Sequence, residues 1–179
     1  MKFKELHIEG VYIIEPEPFK DERGIFRRHF CFDEFNKVGI ANNVLQANIS
    51  ENNYKYTLRG FHYQINPHSE GKTMSCLQGA MYDIIVDLRP ESKTYLQWIS
   101  VELSSKNRLS LHIPPGCANS FLTLENDTLI QYYCSNYYNP KFEKGIRYND
   151  PFFKFDWPNR PLHISEKDAS WPDFDQNNA

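Results

Sequence analysis

The sequence predicts an all-β protein, an antiparallel sandwich or barrel, and three observations carry that prediction. Short runs rich in β-branched and aromatic residues recur between residues 44 and 135. Turn signals separate them at regular intervals, at Gly79, Pro114-Pro115-Gly116 and Glu125-Asn126-Asp127. Helical spacing of apolar residues is found in one short segment only.

Taken in order, Val11-Tyr12-Ile13-Ile14 reads as a first strand, stopped by Glu15-Pro16-Glu17-Pro18 because proline cannot donate to a sheet ladder. Asp21-Glu22-Arg23-Gly24 makes a turn before Ile25-Phe26-Arg27-Arg28-His29-Phe30. Residues 32–39 form the predicted helix: Asp33 caps it, Phe32, Phe35 and Val38 share a face, and Gly39 ends it. Strands follow at 44–50, 57–64, 72–78, 80–88, 95–103, 108–113, 119–124 and 127–135, with Gln78-Gly79-Ala80 read as a hairpin. After Asn139-Pro140 the density of Pro, Asp and Trp rises, so residues 150–175 read as an ordered, irregular tail that wraps the body.

An apolar fraction of 40% over 179 residues suits one domain, 1–179, with a single core. A formal charge of −3 with scattered Lys and Arg argues against a nucleic-acid partner that would need a basic surface. The cysteines Cys31, Cys76, Cys117 and Cys134 are widely spaced and read as reduced, half-buried strand residues, which predicts a cytoplasmic address. No run approaches the length of a membrane span, so no membrane partner is expected.

The stretch Thr57-Leu58-Arg59-Gly60-Phe61-His62-Tyr63-Gln64, continued by Pro67, Glu70, Gly71 and Lys72, concentrates a neutral-range base, two cations and an amide. In an alternating strand His62 and Gln64 share a face, and Arg59 joins them only through a bend, for which Gly60 is available. A lone strand histidine is ordinarily structural, and its company is what makes His62 a candidate base. A metal reading fails for want of His-x-His spacing, and no Gly-x-Ser-x-Gly elbow supports a nucleophile. The tyrosine-rich Gln131 to Tyr138 stretch is either an aromatic edge or a source of a proton donor and a stacking ring. Ser165-Glu166-Lys167-Asp168 reads on its own as a solvated charge run.

Together these residues resemble the dTDP-4-dehydrorhamnose 3,5-epimerase family of cupin-type jelly rolls over nearly the full length. The resemblance is carried by Asp21-Glu22-Arg23-Gly24, Gln46-Ala47-Asn48-Ile49-Ser50, Leu58 to Gln64, Gly71-Lys72, Tyr82-Asp83 through Asp87-Leu88-Arg89, Ile113 to Gly116, Tyr132 to Tyr138, Asn149-Asp150-Pro151 and Ser165 to Asp168. It implies that His62 is the general base, Tyr132 the acid on the opposite sugar face, and Asp168 the partner of His62. Lys72 with Asp83 would serve the ketone. Arg23 and Arg59 would bind the diphosphate, with Gln46 and Asn48 nearby. Tyr138 would stack on the base, and Glu143 and Lys167 fall at substrate-contact positions. It further implies a homodimer in which Arg23 reaches the partner's site, and a place in surface-polysaccharide sugar biosynthesis, in capsule or lipopolysaccharide.

The chemistry suits these residue types. Hydrogens at C3 and C5 of a 4-keto sugar flank the carbonyl, so removing either gives an enolate charged on O4, and neither a redox cofactor nor a metal is required. The chain departs from the family in carrying Arg28 where Glu is common, and Asn119 in Gly116-Cys117-Ala118-Asn119-Ser120-Phe121 where His is common. Those departures point to a related nucleoside-diphosphate 4-keto sugar, such as a GDP-4-keto-heptose, with dTDP-4-keto-6-deoxyglucose as the alternative. A C3-only epimerase, a 3,4-ketoisomerase and a non-catalytic sugar-nucleotide-binding barrel remain the competing readings.

Overall fold

The computed structural model describes residues 1–40 and 43–175. Thirteen strands and two short helices follow the order β1 (Lys2–Glu5), β2 (Tyr12–Glu15), β3 (Phe19–Asp21), β4 (Gly24–Phe26), α1 (Phe32–Asn36), β5 (Gln46–Asn52), β6 (Leu58–Gln64), β7 (Lys72–Gln78), β8 (Ala80–Asp87), β9 (Trp98–Ser104), β10 (Ser110–Ile113), β11 (Cys117–Thr123), β12 (Thr128–Cys134), β13 (Glu143–Gly145) and α2 (Glu166–Ala169). A six-stranded sheet, β1-β2-β10-β7-β12-β5, faces a five-stranded sheet, β13-β6-β11-β8-β9, and β3 pairs with β4 apart from both. The ladders are antiparallel, as expected for a jelly roll. Among the described residues no helix is long and apolar enough to cross a membrane.

Side chains alternate across each strand, so β11 sends Cys117 and Phe121 into the core between the sheets, where they meet Met74, Cys76, Met81, Ile85, Leu111 and Ile130. Its alternate residue Ala118 points outward yet is equally buried, because the chain beyond residue 145 covers that face. Phe61, Ile84, Val86 and Ala118 pack there against Ile146 and Phe153, with Phe155, Trp157 and Phe174 at the margin. Phe61 stacks on Phe155 with ring centroids 4.4 Å apart. The wrapping tail is thus a third layer, and it explains why β11 is buried along its whole length instead of on alternate residues.

Several local expectations differ from the structure. Gln78-Gly79-Ala80 is no hairpin: β7 lies in one sheet and β8 in the other, and the turns after β10 and β11 likewise carry the chain between sheets. Turn chemistry marks a reversal but not whether the two strands will pair, which long-range sheet order decides. Helix α1 is shorter than predicted and begins after Cys31, which has extended dihedrals and makes no side-chain cap; Asp33 lies inside its first turn. Cys76, Cys117 and Cys134 are free strand residues, buried more completely than expected, whereas Cys31 sits at that helix start. Strands β1 and β13 and helix α2 were not signalled, each being four residues or fewer.

Candidate active site

The site begins with an irregularity in β6. Its pairing with β11 shifts register between Asn119 and Ser120, so that Asn119 opposes His62 and Ser120 opposes Gly60. Phe61 is the extra residue, and Gly60 takes φ +108°, where a Cβ would stand 2.6 Å from the Asn119 carbonyl oxygen. The Gly60–Phe61 peptide is cis. The bulge supplies the bend expected at Gly60: Arg59 and His62 face one cavity, and Arg59 Nε donates to Asn52 Oδ1 at 2.8 Å.

The cavity has two lobes that share His62, Lys72 and Tyr132. One, of about 440 Å³, continues past Arg59, Met74, Asn119, Ser165, Lys167 and Asp168. The other, of about 360 Å³, continues past Gln46, Asn48, Glu70, Tyr138 and Glu143. His62 enters from the five-stranded sheet; Lys72 and Tyr132 enter from the six-stranded one. Among the described residues, no three His, Cys, Asp or Glu side chains are grouped to hold a metal ion.

His62 Nε2 lies 2.7 Å from Asp168 Oδ1, and Asp168 Oδ2 accepts the Gly60 N–H at 3.2 Å. Burial alone pushes the Asp168 carboxyl up, but the hydrogen bond and positive charge of His62, the Gly60 amide and Ser165 outweigh it and hold it below the usual carboxylate range. An ionised Asp168 only accepts, so it fixes the proton on Nε2 and leaves Nδ1 as the basic atom of neutral His62. Ser165 caps α2 by accepting the Asp168 N–H at 3.1 Å, which turns the apparent charge run into a one-turn helix that brings Asp168 to His62. Tyr132 is pushed up, chiefly by burial, which keeps its phenol protonated at neutral pH.

Lys72 Nζ stands 3.3 Å from Glu70 Oε1 and donates to the His62 carbonyl oxygen at 3.4 Å. Asp83 lies behind it with no exposure, and burial pushes its carboxyl up to about 8 against the opposing effects of Asn119 and Lys72. Asn119 Nδ2 approaches the two Asp83 oxygens at 3.2 and 3.4 Å and Met74 Sδ at 3.2 Å, so its donor group serves the protein. At the opposite end, Glu143 Oε2 accepts from Tyr138 Oη at 2.7 Å and pairs with Lys167 Nζ at 2.6 Å. That chain links the residue 137–139 loop, β13 and α2 across the mouth. Gln46 Oε1 accepts the Tyr138 N–H at 2.5 Å, and Asn48 Nδ2 points at Cys134 Sγ.

A family model described as dTDP-4-dehydrorhamnose 3,5-epimerase matches residues 5–176. The chain belongs to this family. A dTDP-4-dehydrorhamnose 3,5-epimerase from Sinorhizobium fredii is 38% identical over 96% of this chain and 89% of its own length. The crystal structure of a dTDP-4-dehydrorhamnose 3,5-epimerase from Bacillus anthracis with TDP and pyrophosphate bound superposes with a TM-score of 0.93 at 34% identity, covering 97% of this chain and 99% of that one. A Legionella pneumophila 3,5-epimerase in complex with dTDP-4-keto-L-rhamnose gives 0.89 at 37% identity, over 95% and 90%.

Within this epimerase fold, most of the residues singled out from sequence converge: His62, Lys72, Tyr132, Arg59, Asn119, Asp168, Lys167, Gln46, Asn48, Tyr138 and Glu143 line the two lobes, with Asp83 directly behind. Gln64 shares the face of His62 but is spent on structure, accepting from Asn139 N–H and donating to the His68 and Tyr137 carbonyls. Arg23 and Arg28 line neither lobe of their own chain. Arg23 sits on the exposed β3–β4 hairpin paired with Asp21, and Arg28 pairs with Glu34 at 2.6 Å beside the N-terminal amine. Sequence reasoning missed Glu70 as a site residue, although its place two residues before Lys72 was visible. It also missed Asn52, which nothing in the sequence ties to Arg59.

Proposed function

We propose that this chain inverts C3 and C5 of a nucleoside-diphosphate 4-keto sugar, with dTDP-4-keto-6-deoxyglucose as substrate. Nδ1 of His62 removes the proton from C3 or C5, charge collects on O4 opposite the Lys72 ammonium, and Tyr132 returns a proton to the other face. Asp168 stabilises the imidazolium, and exchange with solvent resets both groups. Arg59 and Lys167 bind the diphosphate, Tyr138 and Glu143 meet the base, and Gln46 and Asn48 line the path to it. The observation that carries this reading is that base and acid enter one cavity from opposite sheets, so a ring held between them presents one face to each. A preorganised donor at a developing oxyanion is worth about 3 kcal/mol, and a placed proton-transfer group about 10²–10⁴-fold.

The dTDP form is supported by the relatives and neighbours, whose names carry it; a guanosine-linked 4-keto-heptose is the other arm of the test. Incubation with each sugar in D₂O, followed by NMR at C3 and C5, should show deuterium entering both carbons of the dTDP sugar. Exchange at C3 alone would make the chain a monofunctional epimerase, exchange only with the heptose would overturn the nucleotide assignment, and no exchange would leave a binding barrel.

The same reading includes a homodimer. Phe19 and Phe26 on the β3–β4 hairpin are 75% and 73% exposed beside Arg23, an apolar surface suited to a second copy. Arg23 then completes the diphosphate site of that copy. Light scattering on wild type and Phe19→Asp should give a dimer and a monomer of reduced activity; a fully active monomer would refute the shared site.

A further inference from the structure

We propose that Glu70 is a positioning residue of this site: it, and not Asp83, is the anion that holds the Lys72 ammonium where the enolate oxygen forms. This rests on the reading of Lys72 as the group facing O4. A lysine head on four flexible methylenes has no fixed direction of its own, and its three N–H donors must be oriented by acceptors. Here two acceptors do so, Glu70 Oε1 at 3.3 Å and the His62 carbonyl at 3.4 Å, which leaves the third donor for a ligand. The Glu70 side chain is 7% exposed and that of Lys72 is 15% exposed, so little water competes for the pair.

The backbone that carries Glu70 is itself fixed. Gly71 N–H donates to Ser135 Oγ at 2.7 Å, Ser135 N–H donates back to the Gly71 carbonyl at 3.0 Å, and Asn136 Nδ2 donates to the Pro67 carbonyl at 3.2 Å. The exit of β12 therefore locks the residue 67–71 loop at both ends. Asp83 is the obvious rival for the counter-ion. It is sealed from solvent and approached by Asn119 Nδ2 on both oxygens. Burial pushes it up to about 8, which disfavours its charged form. The Asp83 oxygens are engaged by Asn119, whereas Glu70 Oε1 stands at ion-pair distance from Lys72 Nζ.

Glu70→Gln keeps the shape and removes the charge. Affinity for dTDP, which has no ketone, should be unchanged, while the maximal rate of deuterium exchange falls by about 10- to 100-fold, equally at C3 and C5 because both enolates share O4. Glu70→Asp should recover part of the loss. In a Lys72→Gln background the Glu70→Gln effect should vanish, since there is no ammonium left to hold. A raised KM with kcat preserved would overturn the proposal and make Glu70 a contact to a sugar hydroxyl. So would equal losses in the presence and absence of Lys72, which would mark a structural role. If Glu70→Gln does not fold, the Asp variant and its Lys72→Gln partner provide the same cycle. Wild type that exchanges neither carbon would sink the epimerase reading itself, an outcome distinct from active wild type with an indifferent Glu70→Gln.

Discussion

His62 Nε2 and Asp168 Oδ1 meet at 2.7 Å across 106 residues of chain. The carboxylate is nearly closed to solvent, its side chain 6% exposed, so the bond forms where charge is poorly screened. Asp168→Asn should slow deuterium exchange at both carbons by about 100-fold, and His62→Asn should remove the 10²–10⁴-fold contribution of the base. Because the Asp168 carboxyl is held low in the folded chain, its stabilisation is fully present above the ordinary carboxylate range and is lost as pH falls through the folded value. The difference in melting temperature between wild type and Asp168→Asn should therefore shrink on acidification.

Tyr132→Phe separates the two halves of the reaction. Proton removal by His62 needs no phenol, so deuterium should still enter from the His62 face, while inverted product falls by about 100-fold or more. NMR that distinguishes exchange with retention from epimerisation reads this directly. Normal inversion would place the acid elsewhere.

Arg59 reaches the cavity through the Gly60 bulge and is steadied by Asn52. A charge-assisted hydrogen bond contributes about 1.5–3 kcal/mol, so Arg59→Ala should weaken TDP binding by about 10- to 100-fold in calorimetry. Asn52→Ala, which frees the guanidinium without removing it, should give a smaller loss.

Asp83 runs opposite to Asp168 in its pH dependence. Its folded value is raised to about 8, so the folded chain retains a proton that the unfolded chain has already lost. Stability attributable to this group is full below the unfolded carboxyl value, near pH 4, and is lost as pH climbs to about 8. Asp83→Asn cannot titrate, so thermal melts should show it gaining on wild type across that window, by on the order of a few kcal/mol at the alkaline end.

The strand pattern of residues 46–134 was legible because alternation and turn residues are local signals, and they located β5 to β12 within a few residues. Which sheet each strand joins was not, since the turn at Gly79 has the same composition whether its strands pair or part. His62 was legible as a candidate base through its neighbours Arg59 and Lys72, and the structure places all three at one cavity. That Tyr132 and Asp168 share its cavity was not legible from physics, because nothing in a Tyr-rich strand or a Ser-Glu-Lys-Asp run indicates what lies across the barrel; their placement followed from the family resemblance alone. Glu70 escaped for the opposite reason: it was in view, but an acid beside a lysine reads as an ordinary surface pair until its burial is known.

The tail that forms the third layer also carries the carboxylate that meets His62. A chain cut before residue 150 would keep His62 on β6, Lys72 on β7 and Tyr132 on β12, and would lose together Asp168 and the cover over Phe61 and Ala118. The Leu58 N–H to His163 carbonyl bond and the Ser165 cap seat α2 against β6, and Asp168 on that helix selects the tautomer of the His62 imidazole. Packing of the outer face and proton placement on His62 are thus carried by one segment, so loosening the tail weakens both at once.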